Sequence, residues 1–219
     1  MDMKTSVLVP AKGFAHAKRR LASLLNAGER RAAAESMLCH VLEQVRISRC
    51  VDETFVVTAD AGVARMALSL GAQVIPEREE RGESHAVSLA LEEMGRGGIP
   101  NVLVLPGDLP WLRSVDIESV LSHVPVLPAG SPFALLVPSW DRMGTNALFL
   151  CPPGLIRLRF GHDSFCNHLS EICARGVAFK IVENRCIALD VDEPEDWQHA
   201  LMAAEHGELS SPDRSWDRI

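Results

Sequence analysis

The sequence lacks several features that would fix its class at once. No apolar run approaches the roughly 20 residues that span a bilayer, which argues against a membrane helix. The opening stretch MDMKTSVLVPAKG has too short an apolar run for a signal peptide, and no small-residue cleavage site follows it. Both absences point to the cytoplasm. Six cysteines (Cys39, Cys50, Cys151, Cys166, Cys173 and Cys186) form no C-x-x-C pair, against a zinc site or a disulfide framework. Most lie in apolar, periodic segments, where reduced cysteine acts as a small hydrophobe. Neither G-x-G-x-x-G nor G-x-x-x-x-G-K-[ST] occurs, which weakens dinucleotide binding and P-loop phosphoryl transfer. No spacing supports a Ser-His-Asp or Cys-His nucleophile. Positive charge is also short. The net charge of −7 argues against general nucleic-acid binding, which needs a basic surface to displace counterions.

What remains is an ordinary globular composition, 47% apolar and 23% charged over 219 residues, enough for one domain with a sizeable core. One segment breaks the acidic balance. Lys12, Lys18, Arg19, Arg20, Arg30 and Arg31 face the single acid Glu29. This is either a solvated basic face or a site for a small, highly charged anion.

Strand and helix patterns alternate along the chain. Strands are expected at Ser6–Val9, Thr54–Thr58, Ala72–Pro76, Asn101–Leu105, Phe133–Val137, Asn146–Leu150, Val177–Val182 and Ile187–Leu189. Helices are expected near 29–46, 61–70 (closed by Gly71), 83–94, 114–123, 163–175 and 194–205. The runs VLVLP and FALLVP lack polar alternation, as strands buried on both faces do. The pattern predicts an α/β fold with a mostly parallel mixed sheet between helices, one domain over residues 1–206. The polar tail 207–219 is expected to be disordered.

Ligands of open parallel sheets bind beyond the carboxyl ends of the strands. There the first strand delivers Lys12, Gly13, Lys18 and Arg20, whose several cations suit a triphosphate. The second delivers Thr58 and Asp60, and the fourth Pro106, Gly107 and Asp108. A late strand is expected to deliver Asp190 and Asp192. Hard carboxylate oxygens at two strand ends suit Mg²⁺, which usually takes one or two carboxylates plus phosphate oxygens. Turn formation or helix capping would also explain Asp108, and Asp192 has a capping role available ahead of Pro194. In MGTNALFL, Thr145, Asn146 and nearby backbone amides can meet an anion. In RFGHDSFCNHL, Gly161 precedes Asp163 and Ser164 at an expected helix N-terminus, where capping competes with anion binding. His162 and His168 are placed at the site rim and on the helix face.

The motifs PAKGFAHAKRRLASLL, LVLPGDLPWL, PSWDRMGTNALFL, FGHDSFCNHL and IALDVDEPEDW, in this order, resemble the CofC/FbiD family over about residues 5 to 200. GTNAL followed by FG-x-x-SF is the specific part. LPGDLP is shared more loosely with the molybdenum-cofactor guanylyltransferases. The resemblance implies a single Rossmann-like nucleotidyltransferase domain that uses GTP and Mg²⁺. It would load GMP onto a phosphorylated three-carbon acid (2-phospho-L-lactate, phosphoenolpyruvate or 3-phospho-D-glycerate) in coenzyme F420 biosynthesis, with release of pyrophosphate. By motif match, Asp108, Asp190 and Asp192 would hold the metal. Lys12, Gly13, Lys18, Arg20, Thr58, Gly82, Pro106 and Gly107 would meet the nucleotide, with Asp108 and Lys18 at the chemistry. Thr145, Asn146, Gly161 and Ser164 would bind the acid, and transient contact with the downstream transferase is implied. Where many members read G-L-N-x-A-L, this chain has Gly82-Glu83-Ser84-His85-Ala86-Val87, closer to bacterial variants than to the archaeal form.

Two other readings compete. A sugar or molybdopterin nucleotidyltransferase would keep Asp108 but has no need of GTNAL plus FG-x-x-SF. A non-catalytic nucleotide-binding domain would not need the cationic first loop.

Overall fold

A computed structural model describes residues 5–126, 128 and 131–205; the tail expected at 207–219 lies outside them. Among the described residues seven strands form one sheet in the order β3-β2-β1-β4-β6-β5-β7. They are β1 (Thr5–Pro10), β2 (Val51–Thr58), β3 (Gln73–Pro76), β4 (Val102–Val104), β5 (Phe133–Pro138), β6 (Thr145–Cys151) and β7 (Ala178–Ile181). The helices are α1 (Ala27–Ile47), α2 (Ala61–Ser69), α3 (Glu83–Arg96), α4 (Ser114–Leu121), α5 (Ser164–Ala174), α6 (Arg185–Ala188) and α7 (Pro194–Glu205).

Side chains alternate along a strand, so β1 feeds two cores. Val7 and Val9 pack with Leu38, Val41 and Leu42 of α1 and with Ile117 and Val120 of α4. Leu8, on the other face, joins Val87 and Leu91 of α3 and Ile172 of α5. Both faces of the sheet are therefore covered, which explains why β4 and β5 are apolar without alternation. Truncating a fully buried leucine such as Leu103 would cost about 2–5 kcal/mol in either layer.

Local chemistry sets the helix starts. Asn26 accepts from the Gly28 and Glu29 amides while Glu29 reaches back to the Asn26 amide, a complete capping box. Asp60 caps α2 through the Gly62 and Val63 amides. Gly71 ends α2 at φ 84, as its position predicts.

One expected strand is a helix. Ile187–Leu189 is too short for periodicity to separate strand from helix. It folds mostly into α6 because Asn184 Oδ1 accepts from the Ile187 amide at 3.0 Å and the Asn184 carbonyl accepts from Ala188 at 2.8 Å. Asn184 is itself held by Asp116 Oδ1, 3.2 Å from its amide nitrogen. Asp190 and Asp192 therefore leave from a helix end and not from a strand.

The sheet direction gathers the site. β1–β4, β5 and β7 run one way, and β6 alone runs antiparallel to its neighbours β4 and β5. The amino end of β6, Thr145–Asn146, thus reaches the same edge as the carboxyl ends of the other strands.

Candidate active site

The long connection after β1 contains two short 3₁₀ turns, Phe14–His16 and Arg19–Ser23. Lys18 precedes the second in a left-handed conformation, φ 51. That costs a lysine about 1–2 kcal/mol, so the surroundings must hold it there. Its side chain is only 7% exposed, and Nζ donates to Asp108 Oδ2 at 2.5 Å and to Asp192 Oδ1 at 2.8 Å. Burial alone would lower its pKa; the two carboxylates outweigh that and raise it well above the usual lysine range. Lys18 also keeps Asp192 ionised, lowering its pKa despite the burial that opposes it.

Backbone pairing fixes the carboxylates. The Val191 amide donates to the Asp108 carbonyl at 3.3 Å, so the residue between Asp190 and Asp192 is pinned to the loop after β4. Gly107 packs closely: a Cβ there would lie 2.9 Å from Leu38 Cδ1 and 3.5 Å from Val9 Cγ1, so a side chain would push the Leu38 tip aside. Asn146, first expected at the acid, donates from Nδ2 to Asp190 Oδ1 at 2.9 Å and to the Ile187 carbonyl at 3.0 Å. Burial, followed by repulsion from Asp108, raises the Asp190 pKa.

Glu83 is a site residue that the motif reading passed over as a departure. It heads α3, where a helix dipole normally favours the anion. Burial, reinforced by Asp108, nevertheless pushes its pKa up to about 7, while Lys12 pulls the other way. The signal available in the sequence was an acid directly after Gly82, a glycine at φ 97 that starts a helix.

The three aspartates do not form a ready-made ligand cage. Among the described residues no group of three or more His, Cys, Asp or Glu side chains is gathered to hold a metal ion. Lys18 stands between Asp108 and Asp192, and Asn146 holds Asp190. The donor set still fits a divalent cation completed by ligand oxygens. Asp108 Oδ1 is buried without a hydrogen-bond partner. Four carboxylates (Glu83, Asp108, Asp190 and Asp192) also share the site with the ammonium groups of Lys18 and Lys12.

The other nucleotide candidates are spread along the edge. Lys12 is exposed, and Arg20 is exposed and paired with Glu193 at 2.8 Å. The Gly13 amide donates to Glu80 Oε1 at 3.0 Å, and a Cβ at Gly13 would meet Asp60 Oδ2 at 2.9 Å. Thr58 is buried and its hydroxyl accepts from the Asp60 amide. Pro106 and Gly107 are half-buried beside Asp108, and Gly82 is exposed.

The acid candidates form a second, neutral cluster. The Thr145 amide donates to Ser164 Oγ at 2.9 Å, and Thr145 Oγ1 lies 3.0 Å from His168 Nδ1. His168 is fully buried, not at the helix face, and burial lowers its pKa to about 4. Asp163, where capping and anion binding competed, takes the N-cap position of α5 at φ 59 without a side-chain capping bond and lies 3.0 Å from exposed His162. Gly161 is exposed at φ 106, and its carbonyl accepts from the Ser164 amide. Thr145 and Asn146 are neighbours on β6, so Thr145 reaches the neutral cluster while Asn146 reaches the acidic one.

No helix among the described residues is long and apolar enough to cross a membrane. Solved structures share the fold at low identity. A nucleotidyl transferase from Methanothermobacter thermautotrophicus superposes with a TM-score of 0.63 at 16% identity, covering 93% of this chain and 99% of that one. CMP:2-keto-3-deoxy-manno-octonic acid synthetase complexed with CTP gives 0.60 at 18% identity, covering 92% and 99%.

Sequence relatives are nearer. A phosphoenolpyruvate guanylyltransferase from Conexibacter woesei is 37% identical over 194 residues, 89% of this chain and 86% of that protein. A 2-phospho-L-lactate guanylyltransferase from Methanothermobacter thermautotrophicus is 32% identical over 206 residues, 94% and 86%. A 3-phospho-D-glycerate guanylyltransferase from Phenylobacterium zucineum is 31% identical over 192 residues, 86% of each. The model for "Guanylyl transferase CofC like" proteins matches residues 5–211. With that match over nearly the whole chain, and a nucleotidyltransferase fold beneath it, this protein is a nucleotidyltransferase and belongs to the CofC-like guanylyl transferase family.

Proposed function

We propose that this chain transfers GMP from GTP to a phosphorylated three-carbon acid, releasing pyrophosphate, in coenzyme F420 biosynthesis. The observation that carries this reading is the buried Lys18 ammonium bridging Asp108 and Asp192 where β1 and β4 end. A relative of each acid type lies at 31–37% identity, which supports the class of acceptor without selecting one acid.

A phosphate oxygen of the acid attacks the α-phosphorus of GTP. The new bond forms as the bond to the β-phosphate bridging oxygen breaks, and pyrophosphate carries that electron pair away. The nucleophile is already an anion, so no general base is needed. Catalysis reduces to bringing two anions together in line and neutralising the charge that builds. Lys12, Lys18 and Arg20 supply fixed positive charge toward the triphosphate. The Gly13 and Gly107 backbones permit close approach, with Thr58, Gly82 and Pro106 along the same edge. Gly161 and Ser164, with Thr145 behind them, shape the acid's place, and Asn146 orients Asp190.

Asp108, Asp190 and Asp192 would hold Mg²⁺, which when bound neutralises phosphate oxygens that the lysines do not reach. The reaction places the protein where its substrates are, and a transferase that consumes the product would meet it transiently.

The test is pyrophosphate release from GTP and Mg²⁺ with each of the three acids, with ATP and CTP as controls and the downstream transferase in a parallel set. Release with GTP and one acid is expected. GTP binding without release for any acid would favour a different acceptor or a binding-only domain.

A further inference from the structure

The mechanism leaves one buried imidazole without a role. His168 Nε2 lies 3.0 Å from the Arg159 amide. An amide only donates, so Nε2 accepts and the ring proton sits on Nδ1, donated to Thr145 Oγ1. The Phe160 ring packs edge-on against the imidazole, centroids 4.8 Å apart. The next amide, that of Phe160, donates to Ser84 Oγ at 2.8 Å. Two consecutive amides are thus held by side chains of two helices, His168 of α5 and Ser84 of α3. Immediately beyond them the chain turns through Gly161 at φ 106, which glycine adopts freely, and Asp163 at φ 59, a left-handed conformation that a residue with a Cβ seldom adopts.

We infer that His168 and Ser84 clamp the Arg159–Phe160 backbone and so preset the loop 159–164 for the phosphorylated acid. The inference rests on the proposed function, which assigns that loop to the acid. His168 touches no reacting atom; it is a positioning residue. Without the clamp, the ligand must order the loop itself, and that entropy loss weakens acid binding more than it slows the chemical step. Ser84 lies in the segment that departs from the common family pattern. Ser84, one leg of the clamp, lies in the first turn of α3 beside Glu83, so the acidic cluster and the acid loop share a support.

The experiment uses the full chain and two variants. H168L fills the space without hydrogen bonds, and H168Q restores an acceptor for the Arg159 amide. Amide hydrogen exchange is followed in the ligand-free protein, and steady-state kinetics are measured with GTP and the accepted acid. For H168L, exchange over 159–164 rises while α1 and β1 stay protected. Losing this buried pairing raises KM for the acid about tenfold, with KM for GTP within about twofold. H168Q recovers most of the loss. A merely structural histidine would lower Tm and leave the acid KM and the loop exchange unchanged, and that result overturns the clamp.

If H168L does not fold, S84A decides: faster exchange at 159–164 supports the clamp and unchanged exchange overturns it. Should wild type release no pyrophosphate with any acid, the functional reading falls separately. Exchange at 159–164 then decides alone whether His168 holds the loop.

Discussion

The two ends of the candidate site are built on opposite principles. Around Lys18, charge is concentrated and incompletely matched: the Asp108 carboxylate is 23% exposed and the Asp192 carboxylate 51%, Glu83 and Asp190 are hard to ionise, and Asp108 Oδ1 has no partner. Around His168, the groups are neutral, buried and mutually satisfied, with both imidazole nitrogens and the Ser164 hydroxyl in hydrogen bonds. A charged cluster left short of counter-charge has electrostatic energy to gain from an ionic ligand. A satisfied neutral network has none, and its contribution is shape. Both hang from adjacent residues of β6, Thr145 and Asn146.

The largest expected effect comes from the charged end. Asp108→Asn keeps the side-chain volume and leaves Lys18 paired with Asp192, so the thermal midpoint should stay near wild type. Turnover with Mg²⁺ should fall by about two to three orders of magnitude, the usual loss when one electrostatic stabiliser is removed. Near-normal turnover would remove Asp108 from the metal site.

Lys18→Met should lower turnover by about a hundredfold for the same reason. It should also raise the Asp192 pKa, since Lys18 lowers it more than Arg20 or Lys12 does. Carboxylate titration followed by NMR would expose a bystander lysine by leaving Asp192 where it was.

The neutral end should show itself in stability. Burial holds His168 at about 4, below the ordinary value of 6.5. Between these values the unfolded chain binds the proton that the folded chain refuses. No penalty is present above about pH 6.5, and stability is lost as pH falls toward 4, the loss reaching roughly 3 kcal/mol at the low end. Denaturation midpoints measured from pH 7 to 4 should show this slope, and H168Q should flatten it. An equal slope in both would disconnect His168 from acid sensitivity.

The smallest effect belongs to the rim. Arg20 and Glu193 are 70% and 50% exposed, so Arg20→Ala should change stability by less than about 1 kcal/mol. KM for GTP should rise only a few-fold, because surface charge in water is screened. A loss as large as that of Lys18→Met would erase the distinction between rim and centre.

Much of this protein was legible in its sequence. The two-faced burial of VLVLP and FALLVP, the helix expected near 29–46 and the glycine stop at Gly71 encode local preferences that the fold keeps. The motif residues Asp108, Lys18 and Asp192 were also identifiable, because their chemistry depends on residue type. Ile187–Leu189 was misread because three apolar residues carry no period, and the decision fell to Asn184 and its distant partner Asp116. His168 was placed on a helix face because a lone histidine in an amphipathic segment says nothing of its orientation. Glu83 looked like a family departure until packing brought it to the aspartates.

Residue types and local patterning fix which groups are chargeable, where the long periodic strands and helices form, and the family to which the chain belongs. Tertiary structure alone decided that Lys18 lies between Asp108 and Asp192, 90 and 174 positions away. It also brought the start of β6 to the same edge as the ends of its neighbours. Pairing distance, strand direction and desolvation depend on what packs against a residue, and no local stretch of chain carries that information.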